Sequence, residues 1–249
     1  MNAERIRTWR PSRFADLVGE KNRRTIRRLQ RQVLEGNLAS PMLVVSPYGY
    51  GKTSLVRLLL LALNCHQRDP NTADPCLRCP QCECSGRAYN GFGHPFRRVE
   101  IDCGQIDRCE LVDLCQEFLL DRAAALFLDE LHRLEAVRTQ EALLKFVEDF
   151  PGRFIGAVMD DRLLEVIPPL LERMQKIWLV PPTKEEMVEF FLRKCSAEWQ
   201  LEAPERLVRL MVERSNRSFR ICQRVLGAAA ENDGRILDLE TLEEFLTRD

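Results

Sequence analysis

The chain has 249 residues, of which 45% are apolar and 30% charged, a balance typical of one large globular domain or two small ones. Its net charge of −1 excludes a uniformly basic nucleic-acid-binding protein. No apolar run is long enough to span a bilayer, and no apolar signal-peptide core follows Met1, so we expect a cytoplasmic protein without a membrane partner. In that compartment the ten cysteines are expected to serve as metal ligands or core thiols rather than disulfides.

The first 37 residues combine a basic cluster with a predicted helix over residues 22–34, which ends at Gly36. The cluster indicates either a basic face for phosphate or DNA, or a merely solvated helix face, and the sequence favours neither. Its members are Arg5, Arg7, Arg10, Arg13, Lys21, Arg23, Arg24, Arg27, Arg28 and Arg31.

A glycine-rich segment, residues 46–53, lies between a predicted strand at 42–45 and an apolar helix at 54–63; we call it the phosphate loop. Strand, glycine turn, Gly-Lys-Thr and helix form the usual arrangement around a nucleotide triphosphate. Lys52 is expected to reach the β- and γ-phosphates and Thr53 to ligate Mg²⁺. The alternatives are a plain turn or a loop that no longer binds. The predicted nucleotide contacts are Ser46, which replaces the first Gly of the consensus, Pro47, Tyr48, Gly49, Tyr50, Gly51, Lys52, Thr53 and Ser54.

Residues 64–95 form an insertion rich in Pro, Gly and Cys, with little helical or strand periodicity. Two Cys-x-x-Cys steps and one distant cysteine predict a structural zinc knuckle with four sulfur ligands and no position open for water. Zinc would replace the apolar core that this segment lacks. Free thiols are the alternative, and Cys84 or His66 remain candidates to replace one ligand. The predicted ligands are Cys65, Cys76, Cys79 and Cys82.

A second chemical motif follows a buried strand at 125–128, which comes after a strand at 98–102 and a helix at 109–120. Asp129 and Glu130 emerge at the end of this strand, and we call them the acid pair. Beside a phosphate loop, Asp129 is expected to hold Mg²⁺ through water and Glu130 to act as the general base. The alternative is an acid pair that only caps a helix.

Strands and helices alternate up to residue 180, and only helices follow. A helix at 139–148 and strands at 154–159 and 175–180 precede Pro181-Pro182, the clearest linker. We therefore predict an α/β domain over 1–180, with a parallel sheet covered by helices on both faces, and a small helical lid over 181–249. The lid helices are predicted at 183–197, where Thr183 and Glu186 form a capping box, and at 204–215, 218–231 and 239–247.

The ordered motifs resemble the clamp-loader ATPases of the AAA+ class over essentially the whole chain, and among them the gamma/tau subunits of bacterial DNA polymerase III. The resemblance rests on Trp9-Arg10-Pro11, residues 14–19, the phosphate loop, the cysteine insertion, Glu100-Ile101-Asp102, residues 128–132 and residues 142–145. It implies a P-loop AAA+ fold in which Trp9, Pro11 and Val18 border the adenine. It also implies that Arg173 is an arginine finger acting on the neighbouring subunit's ATP, and that Arg220 contacts the γ-phosphate.

The chain departs from that family at four points. Glu172-Arg173-Met174 replaces Ser-Arg-Cys, so we expect Glu172 to hold Arg173 back. Val158 and Met159 stand where a polar residue senses the γ-phosphate. Of the basic positions that touch DNA in that family, only Arg108 remains. The chain also stops after the lid, before the collar domain that would hold a pentamer together.

These features predict an ATP-binding, slowly hydrolysing AAA+ subunit that acts as an oligomeric assembly switch on DNA or a DNA-bound partner. Its catalytic residues would be Lys52, Glu130 and, in trans, Arg173, and its cofactors ATP/ADP, Mg²⁺ and structural Zn²⁺. The expected partners are other AAA+ subunits, DNA and a sliding-clamp-like or other protein. The alternatives are a scaffold that nucleotide only stabilises, and an AAA+ regulator of a mobile-element or defence system.

Overall fold

The structure, a computed structural model, describes residues 3–84, 98–119, 125–134, 137–232 and 235–246, without the side chains of residues 84, 98 and 246. Within these ranges, no helix is both long and apolar enough to cross a membrane. The strands are β1 Met42–Ser46, β2 Arg98–Asp102, β3 Ala125–Asp129, β4 Arg153–Met159 and β5 Gln175–Trp178. The helices are α1 Ala3–Arg7, α2 Arg23–Glu35, α3 Lys52–Asn64, α4 Pro80–Cys84, α5 Arg108–Phe118, α6 Val137–Asp149, α7 Pro168–Arg173, α8 Lys184–Lys194, α9 Glu205–Arg214, α10 Phe219–Ala229 and α11 Leu239–Leu246.

The five strands form one parallel sheet in the order β2-β3-β4-β1-β5, which confirms the predicted fold class. Strand β4 lies between β1 and β3, with Met159 beside Ser46 in the register. On the far side, Asp102 of β2 pairs with Asp129 of β3. Because the strands are parallel, all of their carboxyl ends meet at one edge, where ligands of such sheets usually bind.

Both faces of the three central strands, β1, β3 and β4, are buried, which explains why these strands are nearly continuous apolar runs. On one face, Met42 and Val44 pack into a core built with α2 and α3. On the other, Leu43 and Val45 pack into a core built with α5, α6 and α7. Helices α2 and α5 therefore lie on opposite faces of the sheet.

The helices beyond residue 181 bury a third apolar core, and the N-terminal segment contributes to it. Ile6 of α1 is fully buried there. Trp9 packs against Phe190 and Trp199, with ring centroids 5.6 and 6.2 Å apart. The buried ammonium of Lys194 lies 4.5 Å from the Trp9 ring centroid and 3.0 Å from an Asp16 carboxylate oxygen. The chain thus begins on the helical lid before it enters the sheet domain, which the sequence does not predict.

Capping residues in the sequence place the helix boundaries close to their predicted positions. Gly36 ends α2 in a left-handed conformation (φ +70°), and the Thr183–Glu186 capping box begins α8. The sequence missed α1, α4 and α7, because five or six residues are too few to show a helical period. The predicted insertion at 64–95 is described as far as residue 84, and its remainder lies outside the described residues. The last residues of the predicted helices 109–120 and 239–247 also lie outside them.

Candidate nucleotide and metal sites

The phosphate loop turns sharply between β1 and α3, and its glycines make the turn possible. Gly49 and Gly51 have φ angles of +83° and +88°, a region that residues with a Cβ rarely adopt. In the described part of the chain, the backbone N–H groups of residues 49–54 donate no hydrogen bond to a protein acceptor. Several N–H groups at a helix N-terminus without acceptors fit an anion such as a phosphate chain.

Lys52, the first residue of α3, is buried at 5% exposure within this loop. Its ammonium donates hydrogen bonds to the carbonyl oxygens of Ser46 at 3.0 Å and Pro47 at 3.1 Å. Burial lowers the pKa of Lys52, and the nearby carboxylates of Glu130 and Asp129 oppose that shift. An anionic phosphate would be a stronger partner for this ammonium than two neutral carbonyls, since charge-assisted hydrogen bonds are the stronger kind.

The acid pair reaches the phosphate loop through Thr53. The Thr53 hydroxyl donates a hydrogen bond of 2.7 Å to the Asp129 carboxylate at the end of β3. Burial raises the pKa of Asp129, while that hydroxyl and the Glu130 backbone N–H oppose the shift. A hydroxyl and a carboxylate side by side are oxygen ligands of the kind Mg²⁺ prefers, so this donor set fits the predicted magnesium site.

Glu130, the predicted general base, lies beside a histidine that has no role in the sequence-based prediction. Glu130 has a left-handed backbone (φ +54°), and its carboxylate lies 3.3 Å from Nε2 of His132. His132 is buried, which lowers its pKa, and within the described residues its Nδ1 has no partner. The sequence does contain one signal for this contact, since His132 follows Glu130 by two residues. A 3₁₀ turn over residues 131–133 brings the ring back to the glutamate.

One cavity gathers most of the predicted nucleotide contacts. Trp9, Pro11 and Val18 line it together with residues 48–54, Glu130 and Arg220. Arg10, which the sequence places in the N-terminal basic cluster and in the Trp9-Arg10-Pro11 motif but not among the predicted nucleotide contacts, also lines the cavity. Its pKa is lowered by burial and by the positive charges of Arg57 and Arg220. The cavity therefore carries more positive charge than the phosphate loop supplies.

The helical lid contacts the phosphate loop through two tyrosines. The Arg220 guanidinium donates a hydrogen bond to the Tyr48 hydroxyl and lies 5.0 Å from the ring centroid. The Tyr50 hydroxyl donates to the Asn216 carbonyl at 2.8 Å. A Cβ at Gly49 would lie 3.0 Å from Ser218 Oγ, so loop and lid are in close contact. The Arg220 guanidinium, which is predicted to contact the γ-phosphate, is thus hydrogen-bonded to Tyr48.

Arg173 lies at the end of α7 and does not line this cavity. Its guanidinium pairs with Glu148 of α6 and donates a second hydrogen bond to the Pro169 carbonyl at 2.8 Å. The partner is therefore Glu148 rather than the predicted Glu172. At the end of β4, Val158 is fully buried and Met159 is the last strand residue, so neither brings a polar donor to the site.

Four cysteines converge at the end of α3. The sulfur atoms of Cys65, Cys76, Cys79 and Cys82 lie within 4.8 Å of one another. The Cys76–Cys82 and Cys65–Cys79 sulfurs are 4.0 Å apart. Zinc–sulfur bonds of about 2.3 Å place tetrahedral sulfurs roughly 3.8 Å apart, so this cluster fits a Cys₄ zinc ion.

Backbone N–H groups around the cluster favour thiolates. The N–H of Cys76 donates to Cys65 Sγ at 3.2 Å. Burial would raise the pKa of Cys79, but donors that include the backbone N–H of Cys82 and His66 lower it to about 6. His66 itself is exposed and lies outside the sulfur cluster. The side chain of Cys84 lies outside the described residues.

Comparison with known proteins relates this chain to subunits of DNA polymerase III. The sequence model of the family described as "DNA polymerase III, delta subunit" matches residues 21–183. The chain is 32% identical over 167 residues to DNA polymerase III subunit tau/gamma of Haemophilus influenzae, a match covering 64% of this chain and 23% of that protein. It is 25% identical over 239 residues to DNA polymerase III subunit tau of Bacillus subtilis, covering 94% of this chain and 40% of that protein.

Two further similarities concern a plant protein and a solved structure of low sequence identity. Protein STICHEL-like 1 of Arabidopsis thaliana is 27% identical over 227 residues, covering 88% of this chain and 19% of that protein. The chain thus spans less than half the length of these curated relatives. Among solved structures, the RuvB Holliday junction branch migration motor of Thermotoga maritima superposes with a TM-score of 0.62 at 17% identity, covering 96% of this chain and 72% of that one. At that identity, the likeness shows a shared fold.

Proposed function

The chain belongs to the family described as DNA polymerase III, delta subunit, and on that premise we propose that it is a clamp-loader-like AAA+ subunit that binds ATP·Mg²⁺. Nucleotide binding would switch its assembly with neighbouring AAA+ subunits on DNA or on a DNA-bound partner. ATP hydrolysis would be slow in the isolated chain.

One observation carries the proposal. The N–H groups of the phosphate loop that lack acceptors, the Thr53–Asp129 hydrogen bond and Glu130 meet at the carboxyl edge of the sheet, and Arg220 reaches the same place from the lid. An anion site, two oxygen ligands, a carboxylate base and a cation form the set that phosphoryl transfer needs.

Each residue then has a defined task. Lys52 would leave the loop carbonyls and bind the β- and γ-phosphates, and Thr53 and Asp129 would hold Mg²⁺, whose charge neutralises the phosphate oxygens. Glu130 would accept a proton from the attacking water. Arg220 would leave Tyr48 for the γ-phosphate, which couples nucleotide to the lid.

Two side chains support the proposed slow turnover. Val158 is apolar where a donor to the γ-phosphate is expected, and Arg173 pairs with Glu148 instead of projecting towards a neighbour. Because positioned charges carry most of phosphoryl-transfer catalysis, losing one donor should slow hydrolysis more than it weakens binding.

Titration with a fluorescent ATP analogue in Mg²⁺ tests the proposal. Wild type and Glu130→Gln should bind equally, and Glu130→Gln should lose the remaining phosphate release. Lys52→Ala should bind at least tenfold more weakly, whereas Lys145→Ala, an exposed lysine on α6, should match wild type. Equal binding by Lys52→Ala and wild type, or brisk hydrolysis by the monomer, would contradict the proposal.

A scaffold is the second candidate function, in which nucleotide only stabilises the fold. The apolar end of β4 and the Arg173–Glu148 pair favour it. Light scattering separates the two functions. The switch predicts an ATP-dependent increase in mass that Lys52→Ala abolishes, and the scaffold predicts the same mass with and without ATP.

A further inference from the structure

Five arginines on α2 form a stripe that neither the nucleotide site nor the cysteine cluster uses. At 100° per residue they cover about 140° of the helix circumference. Ile26, Leu29 and Val33 occupy the opposite side and are buried against the sheet. The members of this arginine stripe, all of them exposed, are Arg23, Arg24, Arg27, Arg28 and Arg31.

Most arginines of the stripe lack a direct acidic partner, although Glu20, Glu186 and Glu189 line the groove beside Arg23 and Arg27. Arg23 pairs with Glu20 at 2.8 Å. Among the described residues, Arg24, Arg27, Arg28 and Arg31 form no ion pair, in contrast to the paired arginines elsewhere on the surface. The i,i+4 pairs within the stripe are Arg23–Arg27, Arg24–Arg28 and Arg27–Arg31, and Glu35 lies four positions after Arg31.

This arrangement costs the isolated protein helix stability. Like charges at i,i+4 destabilise a helix, and the stripe contains three such pairs. A solvated face needs no such concentration of one charge, since alternating signs would keep it soluble at no cost. An anionic ligand would remove the repulsion and turn the stripe into a favourable feature.

The dimensions and composition select the ligand. From Arg23 to Arg31 the helix rises about 12 Å, a length of duplex axis along which each strand carries three or four phosphates at about 3.4 Å of axis per phosphate. Guanidinium groups match phosphates with two parallel hydrogen bonds. Among the described residues, no aromatic ring lines the surface along the arginine stripe to stack on an unpaired base, and no large exposed apolar side chain lies on α2 to anchor a protein partner.

We propose that the arginine stripe binds the phosphate backbone of duplex DNA without sequence preference. The site goes beyond the proposed function, because Arg108, the position where the family resemblance implies DNA contact, begins α5 on the opposite face of the sheet. A duplex on α2 therefore makes a contact distinct from one at Arg108.

Fluorescence anisotropy of a labelled 20-base-pair duplex, titrated with the full chain between 50 and 200 mM salt, tests this site. The triple variant Arg24→Gln, Arg28→Gln, Arg31→Gln should bind at least tenfold more weakly. Its plot of log affinity against log salt should be less steep by about 3, since each phosphate contact contributes about 0.9.

A second triple variant removes the same charge from α9 and serves as the matched control. Arg206→Gln, Arg209→Gln, Arg214→Gln should change affinity less than twofold. Equal losses in both triple variants, or no loss in the stripe variant, would overturn the proposal. Tighter binding of the wild type to poly-glutamate than to the duplex at equal salt would reassign the stripe to an acidic protein.

Two measurements keep this test separate from the nucleotide proposal. The stripe variant should keep wild-type binding of the fluorescent ATP analogue and an undiminished thermal midpoint, because it removes only exposed, mutually repelling charges. Lys52→Ala should keep wild-type affinity for the duplex in the absence of nucleotide. Failure of the ATP site therefore leaves the stripe result interpretable.

Discussion

Replacing Glu148 by glutamine should raise the ATPase rate of the assembled protein, because Glu148 holds the arginine that is proposed to act on the neighbour's ATP. The Arg173 guanidinium donates to the Glu148 carboxylate and to the Pro169 carbonyl. Both contacts keep it on its own subunit. Glutamine keeps the shape of the side chain and removes the charge that makes the contact favourable.

The exposure of the pair limits the size of the effect. The side chains of Arg173 and Glu148 are 37% and 51% exposed, so solvent screens their attraction. Pairs of this kind contribute about 0.2–1 kcal/mol. Losing that energy raises the population of released Arg173 by a factor of about 1.4 to 5, and the rate at saturating ATP should rise by no more than this factor.

Steady-state phosphate release, measured at a protein concentration where light scattering shows an oligomer, provides the assay. Glu172→Gln is the matched control, since Glu172 neighbours Arg173 in sequence but is not its partner, and it should leave the rate unchanged. An unchanged rate in Glu148→Gln, at a concentration where Arg173→Ala slows hydrolysis, would refute the restraint. If Arg173→Ala has no effect, the finger assignment itself is wrong.

Three further predictions concern the cysteine cluster, the lid contact and the acid pair. Elemental analysis should find one zinc per chain; Cys79→Ser should lose it and lower the thermal midpoint by several degrees, while Cys109→Ser, at an exposed cysteine, should not. Tyr48→Phe should tighten ATP binding about tenfold in an analogue titration, because an exposed hydrogen bond from the charged guanidinium, worth about 1.5 kcal/mol, no longer holds Arg220, and weaker binding would refute the contact. Asp129→Asn should abolish the thermal shift caused by Mg·ATP without lowering the midpoint of the nucleotide-free protein. The reason is that burial raises the pKa of Asp129. The stability of the folded protein therefore falls as pH rises through that pKa, and the charged carboxylate destabilises the fold at neutral pH.

The sequence alone determined the sheet domain, the helical lid and most of the groups at the two sites. Apolar runs, helical periods and glycine positions are local signals, and the strand–loop–helix around Lys52 follows from them directly. The spacing from Cys76 to Cys82 brings three sulfurs together within one short segment. Cys65, the fourth ligand, directly follows the last residue of α3. Such features depend on residues close in the chain, whose distances the backbone itself limits.

Only the tertiary structure decided which residue restrains Arg173, that Arg10 lines the cavity, and that Trp9 packs on the lid. It also showed the Arg220 guanidinium on Tyr48, 172 positions away. The periodicity of apolar residues shows which face of a helix or strand is buried, but not which neighbouring element covers that face. That choice depends on how crossover connections pack whole helices against the sheet, and no local pattern records it.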